Sequence, residues 1–254
     1  MHTTINSNTI MIKSLRNTLI VALMATLLTG ALSAQEDPSL IHVRIVEVVP
    51  GKVNEFVALQ KTLMEAQKMA GLPGRSVWQE SRGNTNTFHI VNSAENFAEL
   101  DESATSIMSD TAWANWVNSI TEVTQSREII TLRTFPDLDL GPFDNQETDL
   151  LRLMQITLKP GHSDEYANWL RNTMTPALKK HGVKGRSVNR VVVGGNTNRW
   201  VIGNRFSDWS KLDTPGSFNN IPKEERQEVF AELDEIEIEE SKTLILHYRS
   251  DLSY

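Results

Sequence analysis

No cysteine occurs among the 254 residues. That excludes disulfides, thiolate metal sites, a cysteine nucleophile and a lipid-modified N-terminal cysteine. Glycine is present, but in neither the Gly-x-Gly-x-x-Gly pattern nor a phosphate loop, and no Gly-x-Ser-x-Gly elbow occurs. Positive charge is in deficit: 25 Lys and Arg face 32 Asp and Glu, for a net charge of −7, which argues against a nucleic-acid partner. Beyond the N-terminus, no apolar run approaches the roughly 20 residues needed to span a bilayer.

What is there begins with a targeting pattern. Lys13 and Arg16 precede an apolar run from Leu19 to Leu28, and small residues follow up to Ala34. This order predicts a secretory signal peptide over residues 1–34, with a polar segment opening at Gln35. Its removal takes away two basic residues and no acid, leaving 23 against 32. The expected product is soluble, periplasmic or secreted, and away from the membrane after processing.

The remaining chain is written twice. Val49-Pro50-Gly51-Lys52 recurs as Lys159-Pro160-Gly161-His162, Gly74-Arg75-Ser76-Val77 as Gly185-Arg186-Ser187-Val188, and Gly83-Asn84-Thr85-Asn86 as Gly195-Asn196-Thr197-Asn198. The offset stays near 110 residues throughout, so one unit and its copy are expected at 35–140 and 149–254, with 141–148 as linker. Alternating Val, Ile and Leu mark strands at 41–49 and 151–159. Helices follow: Phe56, Leu59, Leu63, Ala66 and Ala70 share one face, as do Tyr166, Trp169, Leu170, Met174 and Leu178. Gly71 is placed to stop the first helix, and Pro176 to kink the second. Strands near 75–82 and 87–92, and near 186–193 and 199–204, are joined by Gly-Asn-Thr-Asn, whose tolerance of positive φ predicts a tight hairpin. A second helix carries Trp113, Trp116, Val117 and Ile120 in one copy and Val229, Phe230, Leu233 and Ile236 in the other. Final strands are expected near 128–134 and 243–249.

Two tandem βαββαβ units of this kind, α+β in class, resemble the dimeric α+β barrel superfamily of ferredoxin-like units. The layout is similar to that of antibiotic-biosynthesis monooxygenase-like and stress-responsive barrel proteins. The resemblance implies a pseudo-dimeric barrel within one chain, ligands between the two sheets or under the helices, and a homo-oligomer as a compatible state. It also reaches haem-binding relatives with an axial histidine on a helix, but both second helices here lack histidine, and no cofactor is expected.

Five histidines follow residue 34, and none forms a zinc pattern, so no metal is expected. His89 and His247 fall inside strands, where burial would suit a general base or a hydrogen-bonded core histidine. Glu47, Gln155 and Thr157 share one strand parity, expected to be polar and to face the barrel interior, while Val46, Val48, Ile156 and Leu158 face the helices. Trp78, Asn92, Trp200 and Asn204 add aromatic surface and amide groups, either around a small apolar or aromatic ligand or as core and strand-end residues. Because His89 and Glu47 are replaced by Val201 and Thr157 in the second copy, any site is expected in one half only. Acidic residues from Glu224 to Glu240 read as a solvated face. Two functions stay open: an exported small-ligand protein or cofactor-independent enzyme, and a non-catalytic barrel acting through its surface or oligomer contacts. A deep pocket enclosing His89, Gln155 or His247 would favour the first.

Overall fold

The computed structural model describes residues 39–101, 107–141, 149–213 and 221–254. The signal-peptide expectation and most of the expected linker lie outside these. No helix among the described residues is long and apolar enough to cross a membrane.

Eight strands form: β1 (Leu40–Val48), β2 (Arg75–Glu80), β3 (Thr87–Ala94), β4 (Thr124–Thr134), β5 (Leu150–Leu158), β6 (Arg186–Val193), β7 (Arg199–Phe206) and β8 (Ile238–Tyr248). The helices are α1 (Val53–Met69), α2 (Asp110–Val123), α3 (Ser163–Trp169), α4 (Thr175–Lys180), α5 (Ser210–Asp213) and α6 (Lys223–Ala231). The strands close one antiparallel barrel in the order β1-β3-β2-β8-β5-β7-β6-β4. The first four strands thus lie side by side as β4-β1-β3-β2 and the last four as β8-β5-β7-β6, the same order in both halves. Two seams join them, β2 with β8 and β4 with β6. Closure leaves no free sheet edge. At the β4–β6 seam, Gly194 has φ +82° and a Cβ there would overlap the Ile129 carbonyl, so this position requires glycine.

The hairpins are looser than the sequence suggests. Positive φ falls on Gly83 and Gly194, not on asparagine; Asn84 and Asn196 instead accept from the backbone N–H of Asn86 and Asn198, each closing an Asx turn. The last strand of each half starts earlier than expected, because α2 runs straight into β4 at Thr124 and β8 begins at Ile238. Those extensions are polar and exposed, which hides them from an apolar pattern. Between α3 and α4, Leu170–Met174 form a π-helical turn ahead of Pro176, which widens the backbone where proline has no N–H to donate.

Strand parity separates two faces. Val46, Val48, Phe88 and Ile90 pack with Phe56 under α1, and Ile156, Leu158, Trp200 and Ile202 pack with Tyr166, Trp169, Leu170, Met174 and Leu178 under α3 and α4. The apolar parity therefore faces the helices, as expected. The opposite parity is less polar than expected: Ile41, Val43, Ile45, Leu151 and Leu153 line the barrel interior, where Gln155 joins them.

Each half ends in a short arm. After β4, Pro136–Leu138 form a 3-10 turn, and Leu140 bridges to Arg186; after β8, Ser250–Leu252 form another, and Tyr254 exchanges backbone hydrogen bonds with Arg75. The stretch from Phe135 to Leu140, which reads as the start of a connection, is thus packed structure.

Candidate functional site

A cleft of about 580 Å3 lies between the outer face of the first-half sheet and helices α1 and α2. β1 sends His42, Arg44 and Val46 into it from alternate positions, and Arg127 and Ile129 of β4 stand beside them. The opposite wall is α2. Ser109 caps that helix by accepting from the Ala112 N–H, and Trp113 and Trp116 stack with ring centroids 5.3 Å apart and planes 16° apart. Trp116 Nε1 donates to the Leu59 carbonyl at 2.9 Å, tying α2 to α1. Both tryptophans remain half-buried.

The electrostatics of this cleft oppose the net charge of the chain. Among the described residues, no carboxylate lines it. Arg44 donates through Nη2 to Asn92 Oδ1 at 3.2 Å, and its Nε is buried without a partner. Burial, then the nearby Arg127, lowers the Arg44 guanidinium below its ordinary value. Burial, then Arg44, likewise lowers His42, whose Nδ1 is 3.5 Å from Thr131 Oγ1. Behind them Arg75 donates to Gln60 and to the Leu252 carbonyl, and burial followed by Arg44's charge pulls it down to about 10. Guanidinium groups stay protonated in proteins, so this is an unneutralised cationic pocket beside aromatic walls.

The second half has filled the same place. Strand pairing sets Arg44 opposite Ile129 and Met154 opposite Thr243, so Met154 stands where Arg44 does, and Arg152 where His42 does. There Tyr166 packs against Trp200 at 5.3 Å and Trp169 at 5.4 Å, all buried. Burial raises the Tyr166 phenol well above its ordinary range.

The residues singled out from sequence divide among several places. His89 is buried in the barrel interior with Nε2 3.3 Å from Glu80 Oε1, and with Trp78 and Gln155 it lines an interior cavity of about 300 Å3. Asn92 belongs to the cleft through Arg44. Trp200 is a wholly buried core residue of the second half, and Asn204 and Thr157 are buried there outside either space. Glu47 sits near the hairpin end of β1, accepting from Asn84 and Ser126. His247 corrects an expectation: it is exposed, because Leu244 and Leu246 take the inward positions of β8 and the odd position faces out. It cannot act with His89. The acidic residues after Glu224 are mostly solvated, with Glu225 bonded to Lys180 and His181.

His42, Arg44 and Arg127 were not legible as a site. The available signal was a basic pair, His42 and Arg44, on the helix-facing parity of β1, where the second half has Arg152 and Met154.

An antiparallel eight-stranded barrel with helices outside is the fold of the dimeric α+β barrels. Solved structures share it. A provisionally assigned monooxygenase from Lactobacillus acidophilus NCFM matches with TM-score 0.57 and 11% identity, covering 85% of this chain and 95% of that one. Another, from Fusobacterium nucleatum, gives 0.58 and 14%, over 84% and 93%. An anthrone oxidase-like protein gives 0.59 and 11%, over 85% and 93%. No family model and no curated protein matches the sequence. At these identities the likeness concerns the fold.

Proposed function

We propose that the protein binds a small planar aromatic anion in the cleft under α1 and α2, and acts on it without a cofactor. The observation that carries this reading is the cationic floor of Arg44 and Arg127 with His42 beside them and no carboxylate among the described lining residues, set against the stacked Trp113 and Trp116. An aromatic body gains stacking and apolar burial against the tryptophans, and its charged group meets the guanidinium groups of Arg44 and Arg127 that line the cleft. His42, held neutral at pH 7 by its lowered proton affinity, can take a proton from an acidic hydroxyl or C–H, while Arg44 and Arg127 stabilise the resulting oxyanion. An electron-rich arene anion is the species that reacts with oxygen without a metal or flavin, and the monooxygenase and anthrone oxidase-like designations of the neighbours support that class.

The test is tryptophan fluorescence titrated with 2-naphthoate. Saturable quenching that weakens at least tenfold in Arg44→Met and is lost in Trp113→Ala supports the reading. Quenching indifferent to both substitutions contradicts it.

The same proposal includes the history and destination of the chain. The unit at 35–140 and its copy at 149–254 descend from one βαββαβ unit, supported by the shared strand order, and the second copy has given its cleft to packing. Export to the periplasm or medium follows from residues 1–34, and N-terminal sequencing of the mature protein checks it; a retained Lys13 and Arg16 would refute it.

A further inference from the structure

The barrel interior is separated from the cleft by the sheet itself, since β1 and β3 turn alternate side chains to opposite faces. Protein interiors seldom keep voids larger than a water molecule, because unfilled space forfeits dispersion contacts. Here about 300 Å3 stays open. Small residues hold it so. Ser76 and Ser187 stand in matched places of the two halves, and Gly203 lies where the first half has Val91. A Cβ at Gly203 would come within 2.9 Å of Ser187 Oγ and 3.2 Å of Leu151 Cδ1, so the wall is fitted around its absence.

The chemistry of this space differs from that of the cleft. His89 and Glu80 are both nearly inaccessible, and Glu80 engages His89 Nε2, which leaves Nδ1 as the ring nitrogen free to meet a ligand. Arg205 stacks over Trp78 at 5.1 Å, and Asp139 reaches the lining from the arm after β4. Arg205 and Asp139 are the charged residues among the described lining, one of each sign, so the lining shows no excess of one sign. The volume is roughly twice that of an engineered cavity of about 150 Å3 that accepts benzene.

We propose that the barrel interior is a second ligand site, for a compact neutral molecule of about ten heavy atoms whose hydroxyl or carbonyl group hydrogen-bonds His89 and whose apolar body lies against Trp78, Leu153 and Val201. Glu80 is its positioning residue, fixing the imidazole ring. The site is independent of the aromatic-anion reading, because it uses the other face of the sheet.

Equilibrium dialysis with 2-naphthol, a neutral bicyclic probe at pH 7, tests it. The wild-type protein should bind one equivalent. Val201→Phe, which fills the space, should weaken binding more than tenfold, and His89→Val, which copies the second half, by roughly tenfold, the worth of one hydrogen bond. Arg44→Met, which disables the cleft, should leave 2-naphthol affinity within twofold. Unchanged melting temperature of His89→Val shows that loss of binding is not loss of fold. Absence of wild-type binding at millimolar probe overturns the proposal, as does binding that Arg44→Met abolishes and Val201→Phe spares.

Discussion

Leu138 and Leu252 occupy matched places on opposite sides of the barrel: Leu138, in the arm after β4, is wholly buried in the core of the second half, and Leu252, after β8, is wholly buried in the core of the first. Each is held by the same devices. Asp137 accepts from Arg171 at 2.8 Å, and Asp251 pairs at 3.2 Å with Lys61, which stands in the first half where Arg171 does in the second, while Arg186 and Arg75 pair with the arm backbones through Leu140 and Tyr254. The halves therefore interlock by their ends as well as by their strand seams.

Truncating either leucine creates a cavity under the opposite helices. Leu252→Ala and Leu138→Ala should each cost about 2–5 kcal/mol in denaturant unfolding, and both should shift one shared transition. Separate transitions for the two halves would show that the arms do not couple them.

Asp251 adds a pH signature to this arm. Its hydrogen bond from Arg249, reinforced by Lys61 at 3.2 Å, draws its carboxyl down to about 2 against an ordinary 3.8. A carboxyl depressed on folding contributes stability above its unfolded value and loses it as pH falls through the folded one. Between pH 4 and 2 the wild type should lose stability faster than Asp251→Asn, measured by thermal unfolding; parallel curves would remove Asp251 from the account.

Much of the fold was legible because it rests on periodicity. Tyr166, Trp169, Leu170, Met174 and Leu178 fall along α3, the π-helical turn and α4 at the spacing that packs them, and the repeated Pro-Gly and Gly-Arg-Ser-Val fall at element ends. The strand extensions at Thr124 and Ile238 were not legible, because exposed polar residues carry no alternation. The cleft was not legible, although several residues of the interior cavity were singled out. His89, Trp78 and Gln155 do meet in one cavity, whereas His247 faces out because its neighbours Leu244 and Leu246 take the interior. Arg44 and His42 escaped notice because a cation on an apolar parity gains meaning only once the helix over it is known to leave room.

Arg44 should contribute to binding at little benefit to stability. Its Nε is unpaired, the nearby Arg127 repels it, and it in turn lowers Arg75. Arg44→Met should leave unfolding free energy unchanged or raised by up to about 1 kcal/mol, while weakening 2-naphthoate. A loss of several kcal/mol would mean that Arg44 serves the fold.

His42 gives the cleft its pH response. Its proton affinity in the folded protein lies below the ordinary 6.5, so the unfolded chain binds more protons in that window and stability falls as pH drops below 6.5. A bound anion favours the imidazolium, so 2-naphthoate affinity should rise over the same descent. Affinity measured from pH 7.5 to 5 in wild type and His42→Asn checks this, and the variant should be flat; an equal rise in both would place the titrating group elsewhere.

The most direct measurement is a crystal structure of the protein soaked with 2-naphthoate. The ring should lie against Trp113 and Trp116 with the carboxylate within hydrogen-bond distance of Arg44, in the first half alone. A ligand seated instead under α3 and α4, or an unoccupied cleft at a concentration that quenches the tryptophans, would contradict this placement.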